Sequence, residues 1–154
     1  MFYFVSVAVL LLLAPLVSVA TEWTLAAGGT DVWWLIGKWF TFWGVGARLF
    51  LAGVMQVARP QFTAGSIFVI ADPAAEAIVR EVGFANLAMG TLGLVSLLRP
   101  EWLAPAALVG GLYYGLAGAG HAARGARNAK EQFALVTDVA MFAILTAFLA
   151  GRAL

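Results

Sequence analysis

An all-α membrane protein is the fold class this sequence predicts: about five transmembrane helices, four in a bundle core plus an N-terminal helix. Three observations predict it. Of 154 residues, 63% are hydrophobic and 11% charged, against about 45–50% and about 25% in soluble domains. A chain this short cannot enclose so much apolar side chain, because small domains keep a large share of their surface exposed. Finally, apolar stretches close to the roughly 20 residues a spanning helix needs recur along the chain between short polar turns. The length allows a single membrane domain, 1–154.

Residues 2–20 (FYFVSVAVLLLLAPLVSVA) carry no charge and read as the first span. A cleaved signal peptide is the alternative, since Ser18-Val19-Ala20 resembles a small-residue cleavage site, but the usual basic n-region is missing. The segment 23–43 gathers Trp23, Trp33, Trp34, Trp39 and Trp43 around Asp31 and Lys38. Tryptophan concentrates where lipid meets water, so these five are expected at the interface. Gly28-Gly29-Thr30-Asp31 breaks the chain and offers an N-cap. A helix begins near Val32, lies partly in the interface, and forms the second span over about 36–58; Arg59-Pro60 stops it. Residues 61–71 form a connection whose apolar patch, Ile67 to Ala71, is too short to cross. It is expected to lie on the membrane surface or to fold back over the bundle. Asp72-Pro73 then pairs a capping residue with a proline at the first helical position. The remaining spans are predicted at about 74–98, 102–122 and 132–151, separated by Arg99-Pro100-Glu101 and by the polar turn Arg124 to Glu131.

Arg59, Arg80, Arg124, Arg127 and Lys130 then lie on one side, and Lys38, Arg99 and Arg152 on the other. Lysine and arginine favour the cytoplasmic face. The majority places the first set, and the N-terminus, inside a bacterial inner membrane, with the tryptophans outside.

Small residues recur at helical spacing in Gly83, Gly90 and Gly93 of the third span and in Gly111, Gly115 and Gly118 of the fourth. Such stripes let backbones approach closely in lipid. They serve packing within one chain or a homo-oligomer seam.

The informative residues are the polar ones at membrane depth. A central arginine costs at least about 2.5–3.5 kcal/mol to insert unless it is paired or hydrated. Arg48 is such a residue. Measured from the basic-loop side at about 1.5 Å per residue, Arg48 lies about 15 Å deep, Asn86 about 13 Å, Asp138 about 9 Å and Glu81 about 6 Å. Gln56 is also intramembrane, and His121 closes the fourth span. Arg48 is expected to reach Asp138 or Glu81 by extending toward that side, and His121 to sit near the headgroups. Glu131, Ala134, Asp138, Phe142 and Leu145 share a stripe on the last span, pointing its charge inward. The cluster Arg48, Gln56, Glu81, Asn86, His121 and Asp138 has three readings: a structural ion pair, a pocket for a ligand or headgroup, and a proton or ion path.

Net charge is +1, so no basic field exists to bind nucleic acid. The absence of cysteine excludes disulfides, thiol redox chemistry, iron–sulfur ligation and thiolate zinc sites. A single histidine excludes bis-histidine haem within one chain. No hydrolase, transferase or phosphate-binding signature and no metal-ligand spacing occurs.

From Val45 to about residue 150 the order of features resembles the DoxX-like family of small bacterial membrane proteins. GARLFLAGVMQ (Gly46 to Gln56) is similar to that family's first helix, with its arginine followed by a glycine. EVGFANLAMGTLGL (Glu81 to Leu94) is similar to the next, which opens with a glutamate followed by glycines. The N-terminal span and the glycine spacing after Glu81 depart from the pattern. The resemblance implies a four-helix bundle with Arg48 and Glu81 as an internal polar pair. It also implies a link to quinone-dependent oxidoreductase systems, through a bound quinone or a redox partner anchored in the membrane.

The expected function is therefore non-enzymatic: a bundle that binds a hydrophobic ligand or lipid, or a subunit of a larger membrane complex. A proton- or ion-coupled transporter or channel built on Arg48, Glu81 and Asp138 is the first alternative, and a quinone-linked membrane subunit the second.

Overall fold

The computed structural model describes residues 2–66, 69–70, 72–125 and 128–153. The described residues are helical, without strands, and fall into six helices: α1 (Tyr3–Leu25), α2 (Val32–Ala58), α3 (Pro60–Ser66), α4 (Ala74–Val95), α5 (Pro100–Arg124) and α6 (Ala129–Arg152). All but α3 are long and apolar enough to cross a membrane. Most of the apolar patch expected at Ile67 to Ala71, and Arg127, lie outside the described residues.

Local chemistry sets the helix ends. Asp31 accepts a hydrogen bond from the Trp33 amide at 2.9 Å, and Asp72 one from Ala74 at 2.9 Å. Each satisfies an amide that the first helical turn leaves unpaired. Asn128 accepts from the amides of Lys130 and Glu131 at the start of α6. Gly125, at φ +75°, closes α5 in the left-handed region that favours glycine. Two helices widen into π turns, Val9–Leu13 of α1 and Thr41–Ala47 of α2. The first ends just before Pro15, which has no amide to donate. The second ends where the Arg48 amide bonds back to Trp43.

The helices pair α2 with α4 and α5 with α6. Between α2 and α4 the backbones touch through glycine: a Cβ on Gly46 would lie 2.8 Å from the Leu94 nitrogen, and one on Gly53 2.7 Å from the Gly83 oxygen. Gly83, Gly90 and Gly93 meet Val57, Phe50 and Gly46 across this seam, while Gly111, Gly115 and Gly118 of α5 face Leu145, Phe142 and Val139 of α6. Both stripes are thus spent inside the chain. The core joins Leu49 and Val45 of α2, Ala107 and Tyr114 of α5, and Met141, Leu145 and Phe148 of α6. Val7 and Leu11 also belong to it, so the N-terminal helix α1 packs against the four-helix core. Leu12, Leu13, Leu16, Leu108, Leu112 and Leu116 stay exposed; in a spanning protein such residues face lipid.

Trp39 and Trp43 tie α2 to α1. The Trp39 indole donates to Glu22 at 2.7 Å and the Trp43 indole to Ser18 at 3.0 Å, while Lys38 pairs with Glu22 at 2.7 Å. Their N–H groups are therefore satisfied within the protein and not by headgroups. Trp23 and Trp33 remain exposed, and Arg152 lies 4.7 Å over the Trp34 ring.

Candidate functional site

At the opposite end of the bundle, where the helices spread, α1, α2, α3, α5 and α6 surround a chamber of about 260 Å³ with Asn86 of α4 on its wall. Arg48, Gln56, Asn86, His121 and Asp138 all line it. The structure thus brings together five of the six polar residues singled out in the sequence.

The sixth, Glu81, lies on the exposed surface of α4 and does not line the chamber. Its depth is compatible, but five residues separate it from Asn86, a rotation of about 140° at about 3.6 residues per turn. The expected pairing of Glu81 with Arg48 is therefore not formed. Arg48 makes no direct ion pair with Asp138 either, and its Nε has no hydrogen-bond partner among the described residues. Arg48 and Asp138 face one chamber and act on each other through their charges. Asn86, only 1% exposed, donates to Gln56 at 2.7 Å and leaves its Oδ1 without a partner. Two residues of the chamber wall therefore each hold a buried polar atom without a partner, which costs about 1–3 kcal/mol apiece.

His121 is turned inward and not toward headgroups. Its side chain is 9% exposed, with Nδ1 3.2 Å from Glu131 Oε1 and Nε2 3.9 Å from Asp138 Oδ2. Arg124 approaches from outside, its Nε 3.3 Å from the same Glu131 oxygen and its Nη2 3.2 Å from His121 Nδ1. Glu131 is buried beneath this guanidinium. The sequence places Glu131 on the inward stripe with Asp138 but outside the polar cluster, and reads Arg124 only as a residue of a polar turn. The signal that finds them is spacing: Arg124 lies three residues after His121, and Glu131 seven before Asp138, each pair on one helix face. Tyr3, Tyr113 and Tyr114 also line the chamber. The Tyr114 hydroxyl donates to the Gly44 carbonyl within the π turn of α2, fixing the turn that delivers Arg48.

Beside the chamber lies a second hollow of about 280 Å³, under α3 and against α4, walled by Ala64, Ile70, Ile78, Val79 and Val82. Gln56, Thr63 and Tyr113 line both spaces. A polar compartment thus adjoins an apolar one. No group of three or more histidine, aspartate and glutamate side chains arranged to hold a metal occurs among the described residues.

The chain belongs to DUF6790, described as a family of unknown function, which it matches over residues 1–153. No curated protein and no solved structure matches it.

Proposed function

We propose that this protein is a membrane-embedded binding protein for a small amphiphile, non-enzymatic, with the polar head in the chamber and the apolar part in the adjoining hollow. The observation that carries the reading is the 260 Å³ space walled by Arg48, Gln56, Asn86 and Asp138, two of which hold a buried polar atom without a partner. A head that accepts from Arg48 and donates to Asp138 suits such a wall, and burying its apolar part beside Ile78 and Val82 adds affinity. A purely structural polar cluster would satisfy its own members, since buried polar groups are nearly always bonded. The excess of Arg and Lys at this end supports a cytoplasmic orientation for the chamber. A quinone meets the Arg48 donor through its carbonyls, and its reduced form, with two hydroxyls, can donate as well. Of the polar pair that the DoxX-like resemblance implies, Arg48 lines the chamber and Glu81 does not.

The test is native mass spectrometry of protein extracted in mild detergent. Wild type is expected to retain one amphiphile per chain, and Asn86→Leu to lose it while remaining folded by circular dichroism. Recovery of bare wild-type protein overturns the reading.

A further inference from the structure

The Asp138–His121–Glu131–Arg124 row runs from the chamber to the protein surface in one direction. Asp138, His121 and Arg124 all line the chamber, Glu131 is buried behind His121, and Arg124 has a side chain 45% exposed. Along α6, the seven residues from Glu131 to Asp138 span about 10 Å. In the other direction the way is closed. Val45, Ala107, Leu145 and Phe148, all 0% exposed, fill the bundle beyond Tyr114 and its bond to Gly44. Protein interiors packed in this way leave no room for a water file.

We propose that His121 passes protons between Glu131 and Asp138, so that the chamber exchanges protons with the basic-loop face alone. In the tautomer whose Nδ1 accepts from Arg124 Nη2, the hydrogen of the neutral ring sits on Nε2, toward Asp138; in the other, Nδ1 donates to Glu131. A proton arriving on the Glu131 carboxylate moves to Nδ1, and the Nε2 proton leaves for the Asp138 carboxylate. One proton enters the ring and one departs. The ring is left in its other tautomer and is restored when a proton runs back, Asp138 returning one to Nε2 as Nδ1 gives one up to the Glu131 carboxylate. Histidine suits this transfer because one ring nitrogen can take a proton as the other gives one up. The 3.9 Å step to Asp138 exceeds a hydrogen bond, and a small rotation of either side chain into the chamber closes it.

The groups acting on Asp138 from the packed helices are Arg48 of α2, Tyr3 of α1, and Tyr113 and Tyr114 of α5. Those acting on His121 are Arg124 of its own helix and Glu131 and Asp138 of α6. Arg48 gives the arriving proton its consequence, since it stays cationic while Asp138 is neutralised. Proton entry thus switches the chamber from a balanced pair to a net positive site, which favours an anionic head over a neutral one. This consequence rests on the binding reading, but the proton path itself does not.

The experiment uses full-length protein reconstituted in vesicles in one orientation, with a pH step applied to either side. The readout is the infrared band of the protonated Asp138 carboxyl, assigned by its loss in Asp138→Asn. In wild type, exchange at Asp138 is expected to follow a step on the basic-loop side and to lag by about tenfold or more after a step on the other. His121→Gln and Glu131→Gln should each slow the response by about tenfold or more, the scale on which a positioned proton carrier acts. Glu131→Gln keeps the shape of its residue, so it remains informative if His121→Gln fails to fold. Equal response from both sides, unchanged rates in the folded variants, or an Asp138 band indifferent to pH overturns the proposal. Retention of an amphiphile is measured separately, so the two readings fail independently.

Discussion

Replacing Arg48 by methionine separates a structural ion pair from a binding site by the sign and size of one number. Methionine is chosen because it is unbranched, of similar reach, and fills irregular space. Were Arg48 half of a direct buried pair, its removal would strand a charge and cost about 3–5 kcal/mol. The structure shows no such pair, and Nε is without a partner. Removing an unfilled donor returns about 1–3 kcal/mol, and the insertion cost of a central arginine, at least about 2.5–3.5 kcal/mol, overlaps that gain. Against it stands the lost attraction to Asp138 across the chamber, on the order of 1–3 kcal/mol at an effective dielectric near 20. The two nearly cancel. Arg48→Met is therefore expected to change stability by less than about 1 kcal/mol, and to stabilise by about 1–3 kcal/mol in an Asp138→Asn background, where the attraction is already gone. Reversible unfolding in bicelles across the four-member cycle measures both values, and amphiphile retention should be lost in the two members that lack Arg48. A destabilisation of about 3 kcal/mol or more in the single variant would refute the reasoning and make Arg48 a structural partner.

Gly46→Ala should cost about 1–3 kcal/mol in the same unfolding assay, because its Cβ would meet backbone atoms of Leu94 and Gly93 at 2.8 and 2.9 Å, which a rotamer change cannot relieve. Gly65→Ala is the control: nothing lies within 4 Å of the added carbon, so it should be neutral or stabilising by up to about 1 kcal/mol. Equal effects would mean that α2 and α4 do not meet as described. Tyr114→Phe removes the bond to the Gly44 carbonyl and should cost about 0.5–1.5 kcal/mol while weakening retention, since the π turn aims Arg48. Glu22→Gln keeps an acceptor for Trp39 but loses the ion pair with Lys38, whose partly exposed side chains make it worth less than about 1 kcal/mol. Glu22→Ala, which also strands the Trp39 indole, should cost measurably more.

Span number, the caps at Asp31 and Asp72, and the gathering of Arg48, Gln56, Asn86 and Asp138 at one end were legible because each depends on quantities that run along the chain. Hydropathy marks the spans, a capping residue marks a helix start, and rise per residue marks depth. What depends on rotation was harder to read. Glu81 sits at a suitable depth on the wrong side of α4. His121, at a span end, reads as a headgroup contact until Glu131 and Asp138 are seen to flank it from α6. The tryptophans illustrate the same gap. Their place at one end of the bundle follows from composition, but nothing local says that Trp39 and Trp43 turn their N–H groups to Glu22 and Ser18.

The halves of the bundle differ for one physical reason. Around the middle of α2, glycines at 44 and 46 let Met141 and the α4 backbone come close, so the space there fills with apolar contacts and excludes water. Below that level α2 presents Arg48 and Gln56, and α6 presents Asp138 and Glu131, side chains too long and too polar to interlock in the same way. Desolvated charge cannot be packed as densely as methyl groups without a partner at every polar atom. Where Arg48 Nε and Asn86 Oδ1 lack that partner, the helices must stand apart. The chamber is thus not a packing defect beside a functional cluster. Its volume follows from the cluster, and filling it with apolar side chains requires removing Arg48 and Asp138 first.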